Sequence, residues 1–168
     1  MLGVAIATFA SQSFAQVLWQ KASYGMTLDQ VQSTIPETIP PRSPDSLDGG
    51  REVELLSIPS VSLVNTSFVA HFFFADAKLT QVTLSAPRDI PDVSADLLYE
   101  SVLTALRSKY GSEVNSEKPR SIGTMSVRKA EFMSGRTNID LYMMHLSGTA
   151  PILSVVYQVR IAADADKL

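Results

Sequence analysis

The feature that most constrains the fold of this chain is an aromatic hairpin near its middle. Residues 66–75 (TSFVAHFFFA) are rich in aromatic and β-branched side chains, and successive side chains of a strand point to opposite faces. Residues 76–78 form a tight turn, and residues 79–84 return as the partner strand with a period of two. An antiparallel sheet is therefore expected around this hairpin.

Two amphipathic helices are predicted, one on each side of the hairpin. Thr27 is a good N-cap, and Leu28, Val31 and Ile35 follow at the spacing of one helix face, before Pro36 stops the helix. The second helix runs from Asp92 or Ser94 to Tyr110, and Gly111 ends it. Its core-facing stripe consists of Leu98, Tyr99, Val102, Leu103, Leu106 and Tyr110.

The remaining segments predict an α+β fold made of short antiparallel strands. Further strands are expected at residues 17–24, 52–58, 124–133, 138–146 and 152–162, and residues 35–50 form a long proline-rich loop. We predict a sheet, or sheets, of about six or seven strands with two helices packed on one face. The order of elements leaves open whether two α-then-meander units are present. Residues 16–168 are expected to form a single domain.

Residues 1–15 resemble an export signal. Residues 2–10 are an uncharged apolar run, and Ser13 and Ala15 place small residues at the −3 and −1 positions before Gln16. The first charged residue is Lys21, so the basic part of a signal is missing. We expect cleavage before Gln16 and a periplasmic or secreted protein. The alternative is that the run forms a buried helix or strand; it is far short of the roughly 20 residues of a transmembrane anchor.

Composition excludes several classes of function. The chain has no cysteine, which removes disulfides, thiolate nucleophiles and zinc–thiolate sites. The formal net charge is −3 and the basic residues are scattered, so the basic stripe needed for binding nucleic acid is absent. The sequence also lacks a glycine-rich phosphate loop and the common serine-nucleophile motifs. No cofactor and no metal are expected.

Three segments together resemble a group of small bacterial exported proteins. They are Tyr24-Gly25-Met26-Thr27 at a helix start, residues 72–84 with the turn Asp76-Ala77-Lys78-Leu79, and Lys109-Tyr110-Gly111 at a helix end. The arrangement is similar to the β-lactamase-inhibitor-protein-like fold and the SmpA type of outer-membrane-assembly lipoprotein. This resemblance implies an α+β fold and a protein that binds other proteins. Ala77 stands where the pattern has glycine, and the lipobox cysteine is missing.

The two histidines are the candidates for catalysis. His71 and His145 each lie inside a predicted strand, and a general base or a metal ligand would require them to converge with carboxylates such as Asp76 or Asp140. Isolated strand histidines are more commonly ordinary sheet residues. A hydrolase that uses His71 or His145 is therefore the third of three functional hypotheses.

The aromatic strand supplies the candidate binding residues. Neighbouring strand residues face opposite ways, so Val69, His71 and Phe73 would point away from a core built by Phe72 and its neighbours. If one side of the sheet is open, these residues form a partner-binding surface; the alternative is that the proline-rich loop or the N-terminal segment covers them. The first hypothesis is a non-enzymatic module that binds an envelope protein or component, and the second is a carrier of a small apolar ligand. The oligomeric state stays open.

Overall fold

The computed structural model describes residues 16–160, which form two helices, an eight-stranded antiparallel sheet and a separate two-stranded hairpin. The strands are β1 (Val17–Trp19), β2 (Ala22–Ser23), β3 (Ser46–Leu47), β4 (Glu52–Leu63), β5 (Thr66–Ala75), β6 (Lys78–Ser85), β7 (Asn115–Ile122), β8 (Met125–Ser134), β9 (Thr137–Leu146) and β10 (Ile152–Val159), and the helices are α1 (Leu28–Thr34) and α2 (Asp92–Tyr110).

The order of the strands in the large sheet is β3-β4-β5-β6-β10-β9-β8-β7. Each helix is followed by a meander of four strands, and the last strands of the two meanders, β6 and β10, pair in the middle of the sheet. The α+β class is confirmed. The predicted sheet of six or seven strands is too small, because two edge strands were missed.

The missed strands are the least regular ones. β7 covers the sequence NSEKPRSI, for which no strand is predicted, and β3 has only two residues inside the proline-rich segment. β4 continues past Pro59 to Leu63, whereas the strand predicted from the sequence covers residues 52–58 only. Pro59 is tolerated because β4 lies near the edge of the sheet and its register shifts between Ile58 and Val61.

Local capping fixes the start of α1 and joins it to the aromatic hairpin. The Thr27 side chain accepts a hydrogen bond from the Gln30 backbone, while the Gln30 side chain accepts one from the Thr27 backbone. Just before this cap, the Gly25 N–H donates to the Leu79 carbonyl and the Leu79 N–H donates to the Met26 carbonyl, both at 2.8 Å. The segment just before α1 is thereby hydrogen-bonded to the start of β6.

One hydrophobic cluster lies between the helices and a single face of the sheet, which we call the helix face. On β5 this face carries Phe68, Ala70, Phe72 and Phe74, and the Trp19 ring meets Phe72 edge-on at 6.0 Å. Both helices contribute to the same cluster. Its residues from α1, its C-terminal cap and α2 are Val31, Ile35, Ala95, Leu98, Tyr99, Val102, Leu103 and Leu106.

A charged contact fastens α2 to β8. The Arg128 guanidinium binds the carboxylates of Asp96 and Glu100, and it lies 4.1 Å from the centre of the Tyr99 ring. Burial raises the pKa of Tyr99, which keeps its hydroxyl neutral beneath the arginine. The acidic residues at the start of α2 are thus matched by a cation from the sheet.

The turn between β5 and β6 has two consecutive residues with positive φ, Asp76 at 48° and Ala77 at 59°. This is the backbone of a type I′ hairpin turn, which glycine adopts at little cost. Ala77 adopts the same backbone although it has a side chain, so this position is strained relative to glycine.

Within residues 16–160, no helix is long and apolar enough to cross a membrane. The export signal predicted for residues 1–15 lies outside the described residues, as does the end of the chain from residue 161, so the predicted cleavage before Gln16 stays a prediction.

Candidate binding face

The face of the large sheet opposite the helices, which we call the open face, carries a band of uncharged polar side chains. At its centre, Thr83 on β6 lies opposite Val156 on β10, and Val156 lies opposite Asp140 on β9. Most of the neighbouring side chains are partly exposed. The polar residues of the two central strands are Gln81, Thr83, Ser85, Ser154 and Gln158.

This face contains a trough of about 560 Å³ that crosses most of the sheet. Its lining residues come from strands near both edges of the sheet and from the two central strands. They are Leu47, Asp48, Glu52, Gln81, Lys129, Asp140, Tyr142, Val156 and Gln158. On a flat sheet, β4 and β8 would be about 24 Å apart, since neighbouring strands are spaced by about 4.8 Å. Because one cavity is lined by residues of both strands, the surface of the sheet between them is concave.

A small network of charges lies at the β8–β9 end of the trough. Lys129 Nζ is 2.5 Å from Glu131 Oε1 and 3.7 Å from Asp140 Oδ1, and Asn138 donates to Asp140 at 2.9 Å. Lys129 lowers the pKa of Glu131, whereas burial raises the pKa of Asp140 despite the same lysine. Two carboxylates thus share one lysine at this end of the trough.

A stretch of chain that we call the proline segment, residues 39–45 (IPPRSPD), borders the other end of the open face. It is fixed to β4 at two points: Ile39 and Ser57 exchange backbone hydrogen bonds of 2.9 and 2.7 Å, and Asp45 accepts one from the Glu54 N–H at 2.9 Å. The residues between these points leave a cavity of about 470 Å³ against β4 and β5. Val69 and His71 line it.

A buried carboxylate orients the imidazole in this cavity. Glu54 is 2% exposed, and its Oε1 lies 2.7 Å from His71 Nδ1. Its second oxygen accepts a hydrogen bond from the Asp45 N–H at 3.1 Å. Both oxygens of this buried group therefore have partners, which is the condition for burying a carboxylate at tolerable cost.

The three predicted binding residues share the open face, but their exposure differs. Val69 and His71 are partly exposed and line the cavity beside the proline segment, whereas Phe73 is only 4% exposed. The Phe73 ring lies 6.4 Å from the His71 ring and outside the core cluster. Phe73 therefore adds little to the exposed surface that was predicted for these three residues. Whether these residues bind a partner stays a prediction.

The two histidines lie on opposite faces of the sheet. His71 is on the open face, whereas His145 faces α2, with its Nε2 3.4 Å from Asp92 Oδ2. A cavity of about 240 Å³ lies beside His145, between the start of α2 and β8–β9. Among the described residues, no group of three or more histidines, cysteines or carboxylates could hold a metal ion. The two histidines thus do not converge on one site.

The long strands closest to the two edges of the sheet, β4 and β7, each carry a proline at a register irregularity. Pro59 lies in the shift between Ile58 and Val61 of β4, and Pro119 lies in the shift between Glu117 and Arg120 of β7. A proline has no N–H to offer to an incoming strand, and a bulge further disfavours pairing. The edges are therefore poor sites for adding a strand from a partner, which leaves the open face as the larger available surface.

The polar residues of the trough were not predicted from the sequence. Gln81, Thr83 and Gln158 alternate with buried residues of β6 and β10, but alternation also describes any solvent-facing strand. Only the pairing of β6 with β10 brings these side chains together, and the sequence gives no direct signal for that pairing.

No family model matches this chain, and comparisons with curated proteins and with solved structures found no match either. The resemblance to β-lactamase-inhibitor-protein-like and SmpA-type proteins is therefore untested by these comparisons.

Proposed function

We propose that this protein is an exported, non-enzymatic module that binds another protein, or another component of the bacterial envelope, through the open face of its sheet. The observation that carries the proposal is the trough, which crosses the face opposite both helices. Its lining combines Leu47, Tyr142 and Val156 with two glutamine amides and four charged side chains, a mixture suited to a wet, adaptable protein interface.

The blunted edges support a face rather than an edge as the binding surface. Pro59 and Pro119 lie at register irregularities of β4 and β7, and β4 is already paired on its outer side by β3 and Ile39, so we expect a partner to gain less from extending the sheet than from covering the trough. Most residues of the trough lie on paired strands, so their backbone positions are fixed before a partner binds. Such preorganisation lowers the entropic cost of binding.

The alternative functions have less support. A carrier with its ligand between sheet and helix would need a cavity beside the phenylalanines of β5, whereas the helix-face cavity of about 240 Å³ near Met143 has no phenylalanine among its lining residues. A hydrolase would need a nucleophile within reach of one histidine. His71 has a carboxylate partner in Glu54, and no hydrogen bond links it to a serine or threonine among the described residues.

The proposal can be tested with a matched pair of variants. Val156→Arg places a long cation in the middle of the trough, whereas Ser101→Arg places it on the exposed outer surface of α2. Both purified proteins are immobilised and exposed to a cross-linked envelope fraction. We expect one captured band to be lost with Val156→Arg and kept with Ser101→Arg, while both variants melt near the wild-type temperature. Equal capture by both variants would contradict the proposal.

A further inference from the structure

We infer that the cavity beside the proline segment is a binding site for a small apolar molecule that carries one carboxylate, such as a medium-chain fatty acid. This site is separate from the trough, and the inference does not depend on the proposed protein partner. The volume of about 470 Å³ lies within the range of roughly 300–1,000 Å³ that is typical of small-molecule sites.

The wall of the cavity is apolar and fixed in position. Ile39 is 47% exposed although it is a large aliphatic residue, and its backbone is fixed by the two hydrogen bonds to Ser57. The other apolar lining residues are Pro40, Pro41, Pro59 and Val69. The prolines have restricted φ angles, so little conformational entropy remains to be lost when a ligand covers this wall.

Arg42 supplies a positive charge at this cavity. Arg42 lines the cavity, and among the side chains that the structure describes no carboxylate forms an ion pair or hydrogen bond with its guanidinium. The fork of guanidinium N–H groups matches a carboxylate in a bidentate arrangement. An apolar chain with a terminal carboxylate therefore fits both the wall and the cation, whereas a neutral or cationic chain fits only the wall.

The carboxylate of Glu54, which also lines the cavity, does not oppose such a ligand strongly. One of its oxygens is bound by His71 and the other by the Asp45 backbone, and the side chain is almost fully buried. Both oxygens of this carboxylate thus already have partners within the protein. Arg42, at the exposed side of the cavity, remains the group that meets an incoming anion.

The test uses the purified protein and three probes with the same chain: decanoate, decanol and decyltrimethylammonium, measured by isothermal titration calorimetry below their micelle concentrations. We expect saturable one-site binding of decanoate, with decanol at least about 10-fold weaker because it lacks the charged partner for Arg42. Decyltrimethylammonium should not bind. Decanol that binds as tightly as decanoate, or decanoate that shows no saturable binding, would overturn the inference.

Matched variants locate the site. Arg42→Gln should weaken decanoate binding about 10-fold and leave decanol unchanged. Arg51→Gln is the control, because Arg51 is also exposed but pairs with Asp48 at 2.9 Å and does not line this cavity. Val69→Ser should weaken both decanoate and decanol, since it removes apolar wall. Equal decanoate affinity in Arg42→Gln and Arg51→Gln would place the ligand elsewhere and refute the assignment.

Discussion

Two adjacent phenylalanines of β5 offer a sharp test of how the two faces of the sheet differ. Phe72 is fully buried in the helix-face core against Trp19, whereas Phe73 is 4% exposed on the open face and outside that core. Phe72→Ala removes a ring from a tightly packed cluster and leaves a dry cavity, so we expect a loss of about 4 kcal/mol in the free energy of unfolding.

Phe73→Ala should lower the free energy of unfolding by only about 2 kcal/mol, close to the transfer free energy of the side chain alone. Its neighbours include the partly exposed His71 and Gln81, so water and rearranged side chains can fill the space that the ring leaves. The measurement is equilibrium urea unfolding of both variants with a common slope. An equal loss for both variants would mean that a second packed core covers the open face.

Further variants test the core, the strained turn and export. Leu106→Ala, in the buried stripe of α2, should lower the free energy of unfolding in urea by about 2–5 kcal/mol. The exposed Ser108→Ala should change it by well under about 1 kcal/mol. Similar effects of the two changes would mean that the predicted buried face of the helix is wrong. Ala77→Gly should raise the free energy of unfolding by about 1 kcal/mol, because glycine relieves the positive φ of 59°; a destabilised variant would contradict the turn geometry. Expressed in a Gram-negative host, the protein should appear in the periplasm with Gln16 as its first residue by intact mass; a cytoplasmic protein that retains Met1 would refute the export prediction.

The sequence predicted the regular elements well because their patterns are local. The aromatic strand has a clear period of two, α2 has a stripe repeated every three to four residues, and both appear where expected. The capped start of α1 at Thr27 is likewise a local signal. By contrast, β7 is an edge strand with polar residues on both sides, so no hydrophobic alternation marks it.

The candidate site could be predicted only in part, because it depends on contacts between distant segments. Alternation along β5 placed Val69, His71 and Phe73 on one face, as the structure has them. The burial of Phe73 and the cavity at Val69 depend on strand pairing and on the attachment of the proline segment to β4. The partner of His71, Glu54, is 17 residues away and meets it only through the register of β4 with β5.

The most direct test of the open binding face uses the absence of cysteine in the chain, which makes every introduced thiol unique. Val156→Cys lies in the trough, Val155→Cys is the neighbouring, fully buried position on the helix face, and Ser101→Cys is on the exposed surface of α2. Maleimide labelling of the purified variants should be fast at residues 156 and 101 and slow at residue 155.

The same labelling is then repeated in the presence of an envelope extract. If a partner covers the open face, labelling at Val156→Cys slows while labelling at Ser101→Cys keeps its rate. Slow labelling at residue 156 in the purified protein would contradict an open face, and an unchanged rate at residue 156 in the extract would contradict its role in binding.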